Sequence, residues 1–121
     1  MTNGFQIEKR DAGELTILYL KGFLDAHTTP IFEAEMEKLV SIGRCKIVVN
    51  FKDLTYIASS GLGVFMGFIE DVREKGGDIK LSNMSQKIYH VFEIVGFPSL
   101  YDILADESAC IAKFEEARAD V

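Results

Sequence analysis

The hydrophobic and polar positions at the start of the chain follow first the period of strands and then that of a helix. Residues 5–8 alternate and residues 14–20 are rich in β-forming side chains, so together they predict a hairpin. Thr28 and Thr29 offer a hydroxyl cap before Pro30, which is favoured in a first helical turn. Apolar residues at helical spacing continue this helix: Ile31, Phe32, Met36, Leu39 and Val40.

Strand and helix patterns alternate through the rest of the chain. Residues 45–51 form a near-continuous apolar run, which is typical of a strand buried on both faces. A helix is predicted from Ser60 to Gly76-Gly77, where glycine permits the left-handed conformation of a helix end. Further strands are predicted at 78–82 and 101–104, and further helices at 85–96 and 106–118. These elements predict one α/β domain over residues 1–121, whose mixed sheet of about five strands (an N-terminal hairpin, then βαβ units) carries about four helices.

The start of the helix at Ser60 combines two serines and three glycines. On a helical wheel, one side is predicted to pack on the sheet: Leu62, Phe65, Met66, Ile69 and Val72. The opposite side is predicted to be exposed, with Phe68 at its edge: Ser60, Gly63, Val64, Gly67 and Asp71. A glycine costs a helix about 1 kcal/mol relative to alanine, so exposed glycines favour a contact surface that a partner approaches closely. A simpler alternative stays open, in which Ser59 or Ser60 caps the helix and Gly63 and Gly67 face a neighbouring helix.

Composition narrows the class of protein. The formal net charge of −6 disfavours binding to nucleic-acid phosphates and to anionic lipid. The sequence shows no apolar run of membrane-spanning length and no signal peptide, so a soluble, cytoplasmic protein is expected. Cys45 and Cys110 are isolated from each other and lie in hydrophobic surroundings. They are predicted to be reduced, buried thiols.

The serine- and glycine-rich stretch matches no catalytic motif. A phosphate-binding loop needs a lysine at the helix start, and a dinucleotide-binding loop needs a glycine spacing that the glycines at 61, 63 and 67 miss by one residue. A nucleophile elbow needs glycines where Ala58 and Leu62 stand. His27 and His90 lack ligand-spaced partners in the sequence. We therefore expect no catalytic residues, no metal and no cofactor.

Several short motifs, taken in order, resemble those of STAS domains. They are Gly22-Phe23-Leu24-Asp25 after the second strand, residues 53–57 leading into Ser-Ser-Gly-Leu-Gly at 59–63, the paired glycines at 76 and 77, and residues 91–97. Within that superfamily, the chain resembles the small, stand-alone bacterial anti-sigma factor antagonists. The resemblance covers nearly the whole chain.

This resemblance implies a partner-switching role. Such proteins are not enzymes: they bind an anti-sigma factor that is also a serine kinase, are phosphorylated by it, and are restored by a PP2C-type phosphatase. The phosphorylated serine corresponds to Ser60, with Ser59 as the second candidate, and Ala58 stands where the family has an aspartate. The resemblance and the helical wheel together predict these partner-binding residues: Asp25, Ser59, Ser60, Gly61, Gly63, Val64, Gly67 and Phe68.

Other interpretations remain open. Asp25 is equally compatible with a turn aspartate that accepts hydrogen bonds from local amides. The domain as a whole could bind a nucleotide or an acyl chain, although the many phenylalanines are more simply explained as core residues. It could also be a scaffold subunit that is not phosphorylated. A monomer or weak dimer is expected.

Overall fold

Within the described part of the chain, five strands and four helices follow one another, as the sequence predicts. The computed structural model describes residues 4–119. The strands are β1 (Gln6–Ala12), β2 (Leu15–Leu24), β3 (Lys46–Ile57), β4 (Asp78–Ser82) and β5 (Ile103–Leu104). The helices are α1 (Thr29–Ser41), α2 (Ser59–Glu74), α3 (Gln86–Ile94) and α4 (Glu107–Ala119), and a single 3-10 turn follows α3 at Phe97–Ser99.

The sheet is mixed, with the hairpin at one edge. Its strand order is β1-β2-β3-β4-β5, in which β1 pairs with β2 antiparallel and each later pair is parallel. This order follows from the sequence, because a two-residue turn permits an antiparallel pair whereas a parallel pair needs a crossover, usually a helix. The parallel strands therefore end along the same edge of the sheet. The segment after β3 leads directly into α2 at that edge.

The core lies on both faces of the sheet, and β3 contributes to both. Ile47 and Val49 belong to the larger cluster, which also contains apolar residues of α1, α2 and α3, whereas Val48 packs in a smaller cluster with Cys110 and Phe114 of α4. Ile47, Val48 and Val49 are all buried, which confirms the expectation that the apolar run is a strand buried on both faces. A network of aromatic rings fills the larger cluster, with centroids 5.1 to 5.9 Å apart: Phe32, Phe51, Phe65 and Phe92.

The two glycines that end α2 have different roles. Gly76 adopts a left-handed conformation with φ +82°, as predicted for a residue after a helix. Gly77 instead lies against the chain that leads into β3, since a Cβ atom there would be 1.9 Å from the carbonyl oxygen of Cys45. A side chain at residue 77 would therefore push β3 and the start of β4 apart.

The start of α1 differs from the prediction in one detail. Thr28 precedes the helix, but its hydroxyl does not cap it: it donates a hydrogen bond to the carbonyl oxygen of Phe23 at 2.8 Å. The backbone of Thr28 has helical dihedral angles, so its side chain points back toward the end of β2 and not at the first-turn amides. Ser85, in contrast, caps α3 by accepting from the amide of Ile88 at 3.2 Å.

Candidate functional site

The two serines occupy the first turn of α2. Ala58 is the N-cap residue, with an extended backbone (φ −93°, ψ 167°), and Ser59 and Ser60 follow it as the first helical residues. Both serine side chains are exposed. The alternative in which a serine caps the helix is therefore wrong, because the capping position belongs to Ala58, which has no side-chain oxygen to accept from the first-turn amides.

Ser60 contacts the start of the neighbouring helix. Its Oγ atom lies 3.1 Å from Oγ1 of Thr29, the first residue of α1. The Thr29 hydroxyl in turn donates to the backbone oxygen of Asp25 at 2.7 Å. The starts of α1 and α2 thus lie side by side, and a chain of hydrogen bonds connects the turn after β2 to the predicted acceptor serine.

Asp25 has the geometry of a turn aspartate. Its Oδ1 atom accepts hydrogen bonds from the backbone amides of His27 at 2.9 Å and of Thr28 at 3.2 Å. Desolvation raises the pKa of the Asp25 carboxyl, but these hydrogen bonds more than offset it, so that the pKa lies below its ordinary value. The connection that the structure describes between Asp25 and Ser60 runs through Thr29. A role of Asp25 in binding a partner stays a prediction.

Two of the three glycines at the start of α2 lie on an open surface. A Cβ atom built on Gly63 or Gly67 would meet no described heavy atom within 4 Å, so the alternative in which they face a neighbouring helix is wrong. Gly61 is different, because a Cβ atom there would lie 2.9 Å from the side chain of Leu24 and 3.1 Å from that of Ile57. Gly61 is therefore buried beneath the serines and supports the site from below.

The prediction that Val64 is exposed is wrong. Val64 is 3% exposed, whereas Met66, which was expected to pack on the sheet, is 51% exposed. The reason is that α2 packs against α1 as well as the sheet, as the rings of Phe65 and Phe32 show with centroids 5.1 Å apart. A helix covered from two directions buries a wider arc than one lying on a sheet alone. Phe68 is half-buried, as expected for a residue at the edge of the exposed side.

An exposed aromatic pair lies at the ends of β2 and β3, and the sequence analysis did not identify it. Phe23 of β2 and Tyr56 of β3 are paired across the two strands, with ring centroids 6.5 Å apart and planes nearly perpendicular. They are 49% and 47% exposed. The signal for them was strand alternation, because each precedes a buried residue, Leu24 or Ile57, and so points to the opposite face. The pair adds apolar surface of the kind that protein interfaces use.

The two thiols agree with the expectation from sequence. Cys45 and Cys110 are free and buried, and desolvation raises the pKa of the Cys110 thiol to about 12. Within residues 4–119, no group of three or more His, Cys, Asp or Glu side chains is arranged to hold a metal ion. In the same part of the chain, every helix is too short or too polar to span a membrane.

The phenylalanines and the surface pockets are the features relevant to the alternative in which the domain binds a nucleotide or an acyl chain. Seven of the nine phenylalanines are buried, which supports their interpretation as core residues. One surface pocket of about 300 Å³ is lined in part by Ala12, Leu15 and Phe114. It lies where β2 and β3 begin, at the opposite end of the sheet from Ser60.

The fold and the sequence together define the family. The sequence model of the STAS domain family matches residues 6–109, which is most of the chain. The chain belongs to the STAS domain family.

Relatives and solved structures that the chain resembles include several anti-sigma factor antagonists. The anti-sigma-B factor antagonist of Bacillus subtilis (strain 168) is 33% identical over 86 residues, which cover 71% of this chain and 78% of that one. The anti-sigma F factor antagonist of Paenibacillus polymyxa is 27% identical over 111 residues, covering 91% and 95%. The anti-sigma factor antagonist SpoIIAA in its unphosphorylated form superposes with a TM-score of 0.71 at 26% identity, covering 92% and 97% of the chains. SpoIIAA from Bacillus in its phosphorylated form gives a TM-score of 0.67 at 27% identity, covering 87% and 95%.

Proposed function

We propose that this protein is an anti-sigma factor antagonist whose partner binding ends when Ser60 is phosphorylated. The observation that carries the proposal is an exposed serine in the first turn of α2, beside the open surface at Gly63 and Gly67. Support comes from two relatives that are named anti-sigma factor antagonists and from SpoIIAA, which has been solved in both unphosphorylated and phosphorylated forms. On this proposal the protein is a ligand and a substrate of other proteins, not an enzyme.

The partner is an anti-sigma factor that is also a serine kinase, and it docks on the surface around the start of α2. Of the predicted contact residues, Ser59, Ser60, Gly63 and Gly67 are exposed and Asp25 and Phe68 are partly so. Gly61 and Val64 are buried and act from beneath by fixing the position of α2. Met66 of α2 adds an exposed apolar group to this surface. Because glycine lacks a side chain, the partner backbone can approach α2 closely.

Phosphorylation would end the interaction without unfolding the domain. A phosphoserine carries a charge of about −1.5 to −2 at neutral pH. The first turn of a helix tolerates an anion, since its amides point outward and the helix dipole is positive there. The added group would instead occupy the space that the partner needs. A PP2C-type phosphatase would restore binding by removing it.

A pull-down from an extract of the native cells tests the proposal directly. Immobilised wild-type protein should retain an anti-sigma factor kinase in the absence of ATP and release it when ATP is added, with one phosphate on Ser60. Ser60→Ala should retain the same kinase with or without ATP. If the wild-type chain releases the kinase while Ser60 stays unmodified, the phosphorylation step is refuted. If it retains no kinase of this class, the assignment as an antagonist is refuted.

A further inference from the structure

The hydroxyl of Thr29 has one hydrogen and two oxygen neighbours. The nearer is the backbone oxygen of Asp25 at 2.7 Å, and the other is Oγ of Ser60 at 3.1 Å. A carbonyl oxygen only accepts hydrogen bonds, so the single Thr29 proton is directed at Asp25. The contact between the two hydroxyls then has one polarity: Ser60 donates and Thr29 accepts.

This polarity restricts the hydroxyl of Ser60. With its O–H bond directed at Thr29, its lone pairs point away from α1. Thr29, which accepts this hydrogen bond, is itself held in place, because its hydroxyl donates to the backbone oxygen of Asp25. The turn that contains Asp25 is fixed by hydrogen bonds from the amides of His27 and Thr28 to the Asp25 carboxylate. The adjacent Ser59 is exposed, and its hydroxyl has no hydrogen-bond partner among the described residues. The two serines therefore differ in how far their oxygens are fixed in space.

We infer that Thr29 is a positioning residue for Ser60, and that it makes Ser60 rather than Ser59 the phosphate acceptor. The inference rests on the proposed function. In the transfer, Oγ of Ser60 attacks the γ-phosphorus of ATP held by the kinase, the bond from that phosphorus to the bridging oxygen breaks, and ADP leaves. The Ser60 proton, which Thr29 accepts as a hydrogen bond in the free protein, passes to a base of the kinase. An oxygen whose lone pairs already face outward needs less reorientation before attack.

The geometry also places Asp25 in the same chain of hydrogen bonds. Its backbone oxygen takes the Thr29 proton, and its carboxylate fixes the turn that holds that oxygen in place. Asp25 therefore acts on Ser60 through Thr29, which joins the two predicted site residues in one hydrogen-bonded chain.

Substitution of Thr29 tests the inference with the kinase recovered in the pull-down. Thr29→Val keeps the shape and removes the acceptor, so at saturating kinase and ATP the phosphorylation rate at Ser60 should fall about two- to tenfold, the range that one neutral hydrogen bond supports. The ratio of phosphate on Ser59 to phosphate on Ser60 should rise. Thr29→Ser keeps the hydroxyl and should restore both values. Thr55→Val, which removes a hydroxyl that donates to the Gly22 carbonyl, is the matched control and should leave both unchanged.

Equal rates and equal site ratios in wild type and Thr29→Val would overturn the inference. A merely structural role would lower the melting temperature and the rate together without changing the ratio of the two sites, and that result would overturn it as well. If Thr29→Val fails to fold, Thr29→Ala provides the same comparison, because alanine also lacks the hydroxyl and is well tolerated in a helix.

A measurement without kinase separates this inference from the proposed function. Three-bond scalar couplings of Ser60 report whether its side chain occupies one rotamer or averages over several. Wild type and Thr29→Ser should give couplings of a single rotamer, whereas Thr29→Val should give averaged couplings. Averaging in the wild-type protein would overturn the inference while leaving the proposed function intact. A single rotamer in a wild-type protein that no kinase modifies would refute the phosphorylation step and, with it, the role of Thr29.

Discussion

Ser60 lies where a helix accepts a negative charge, and its closest counterpart in the chain lies on the other side of the sheet. Ser60 is the second residue of α2, and Ser108 is the second residue of α4. Both are exposed. They differ in their surroundings, because Ser60 borders the open glycine surface, whereas Ser108 follows an aspartate, Asp106, that already accepts a hydrogen bond from the amide of Ala109.

This comparison gives the prediction at the scale of one residue. Ser60→Asp should abolish binding of the anti-sigma factor, since an unpaired charge buried in an interface costs several kcal/mol. It should leave the melting temperature unchanged or slightly raised, because a carboxylate is favourable in the first turn. Ser108→Asp places the same charge at the matched position and should bind normally. Isothermal titration calorimetry and thermal unfolding measure the two effects, and normal binding by Ser60→Asp would remove Ser60 from the interface.

At the scale of elements, α2 shows what sequence periodicity can and cannot predict. The helix, its approximate bounds and the exposure of Gly63 and Gly67 follow from the spacing of apolar residues and from the glycines at its end. The burial of Val64 and the exposure of Met66 could not be predicted, because they depend on α1 covering a second side of α2. The hydrogen bond between Thr29 and Ser60 likewise depends on how two helix starts meet, and a single sequence does not contain that distance.

The missing cap of α2 yields a prediction about stability. Ala58 has the extended backbone of an N-cap residue but no oxygen to accept from the first-turn amides. Ala58→Asp should therefore raise the free energy of unfolding by about 1 kcal/mol. Ala112→Asp, at an exposed position inside α4, should instead lower it. Chemical denaturation measures both, and an unchanged midpoint for Ala58→Asp would show that water already satisfies these amides.

The open surface of α2 yields a second prediction at this scale, in which stability and binding move in opposite directions. An arginine at residue 67 has free space and is a better helix former than glycine, so Gly67→Arg should raise the free energy of unfolding by up to about 1 kcal/mol. The long side chain should at the same time weaken binding of the anti-sigma factor at least tenfold. Ala112→Arg on the opposite face of the sheet should leave binding unchanged. Undiminished affinity of Gly67→Arg in calorimetry would place the docking surface elsewhere.

At the scale of the whole molecule, a buried lysine ties the edge of the sheet together under α4. Lys80 of β4 is 6% exposed, and its Nζ lies 2.7 Å from Asp102, 3.0 Å from Asp78 and 4.7 Å from the ring centre of Phe114. The hydrogen bond from Lys80 lowers the pKa of the Asp102 carboxyl below its ordinary value. Burial alone lowers the pKa of Lys80, but hydrogen bonds to Asp102 and Asp78 more than offset it, so the lysine stays charged.

This arrangement predicts how stability depends on pH. A carboxyl whose pKa is lowered in the folded state contributes stability above its unfolded pKa of about 3.9, and the contribution disappears as the pH falls through the folded value. The free energy of unfolding should therefore decrease as the pH falls below about 4, and Asp102→Asn should make this decrease shallower. Asp71→Asn, on the exposed side of α2, should leave the slope unchanged. Denaturant midpoints across this pH range measure the slope of the free energy of unfolding. Identical slopes for Asp102→Asn and wild type would show that Asp102 does not contribute to this pH dependence.

The two cysteines lie on opposite sides of the sheet, Cys45 in the larger cluster and Cys110 in the smaller one. An alkylating reagent can reach each thiol only when the layer that covers it opens. The chain thus carries a natural label for each layer, and the ratio of the two alkylation rates distinguishes separate opening of the layers from a single cooperative unfolding. A partner seated on α2 that restrains only the α1 and α2 layer would slow alkylation of Cys45 more than that of Cys110.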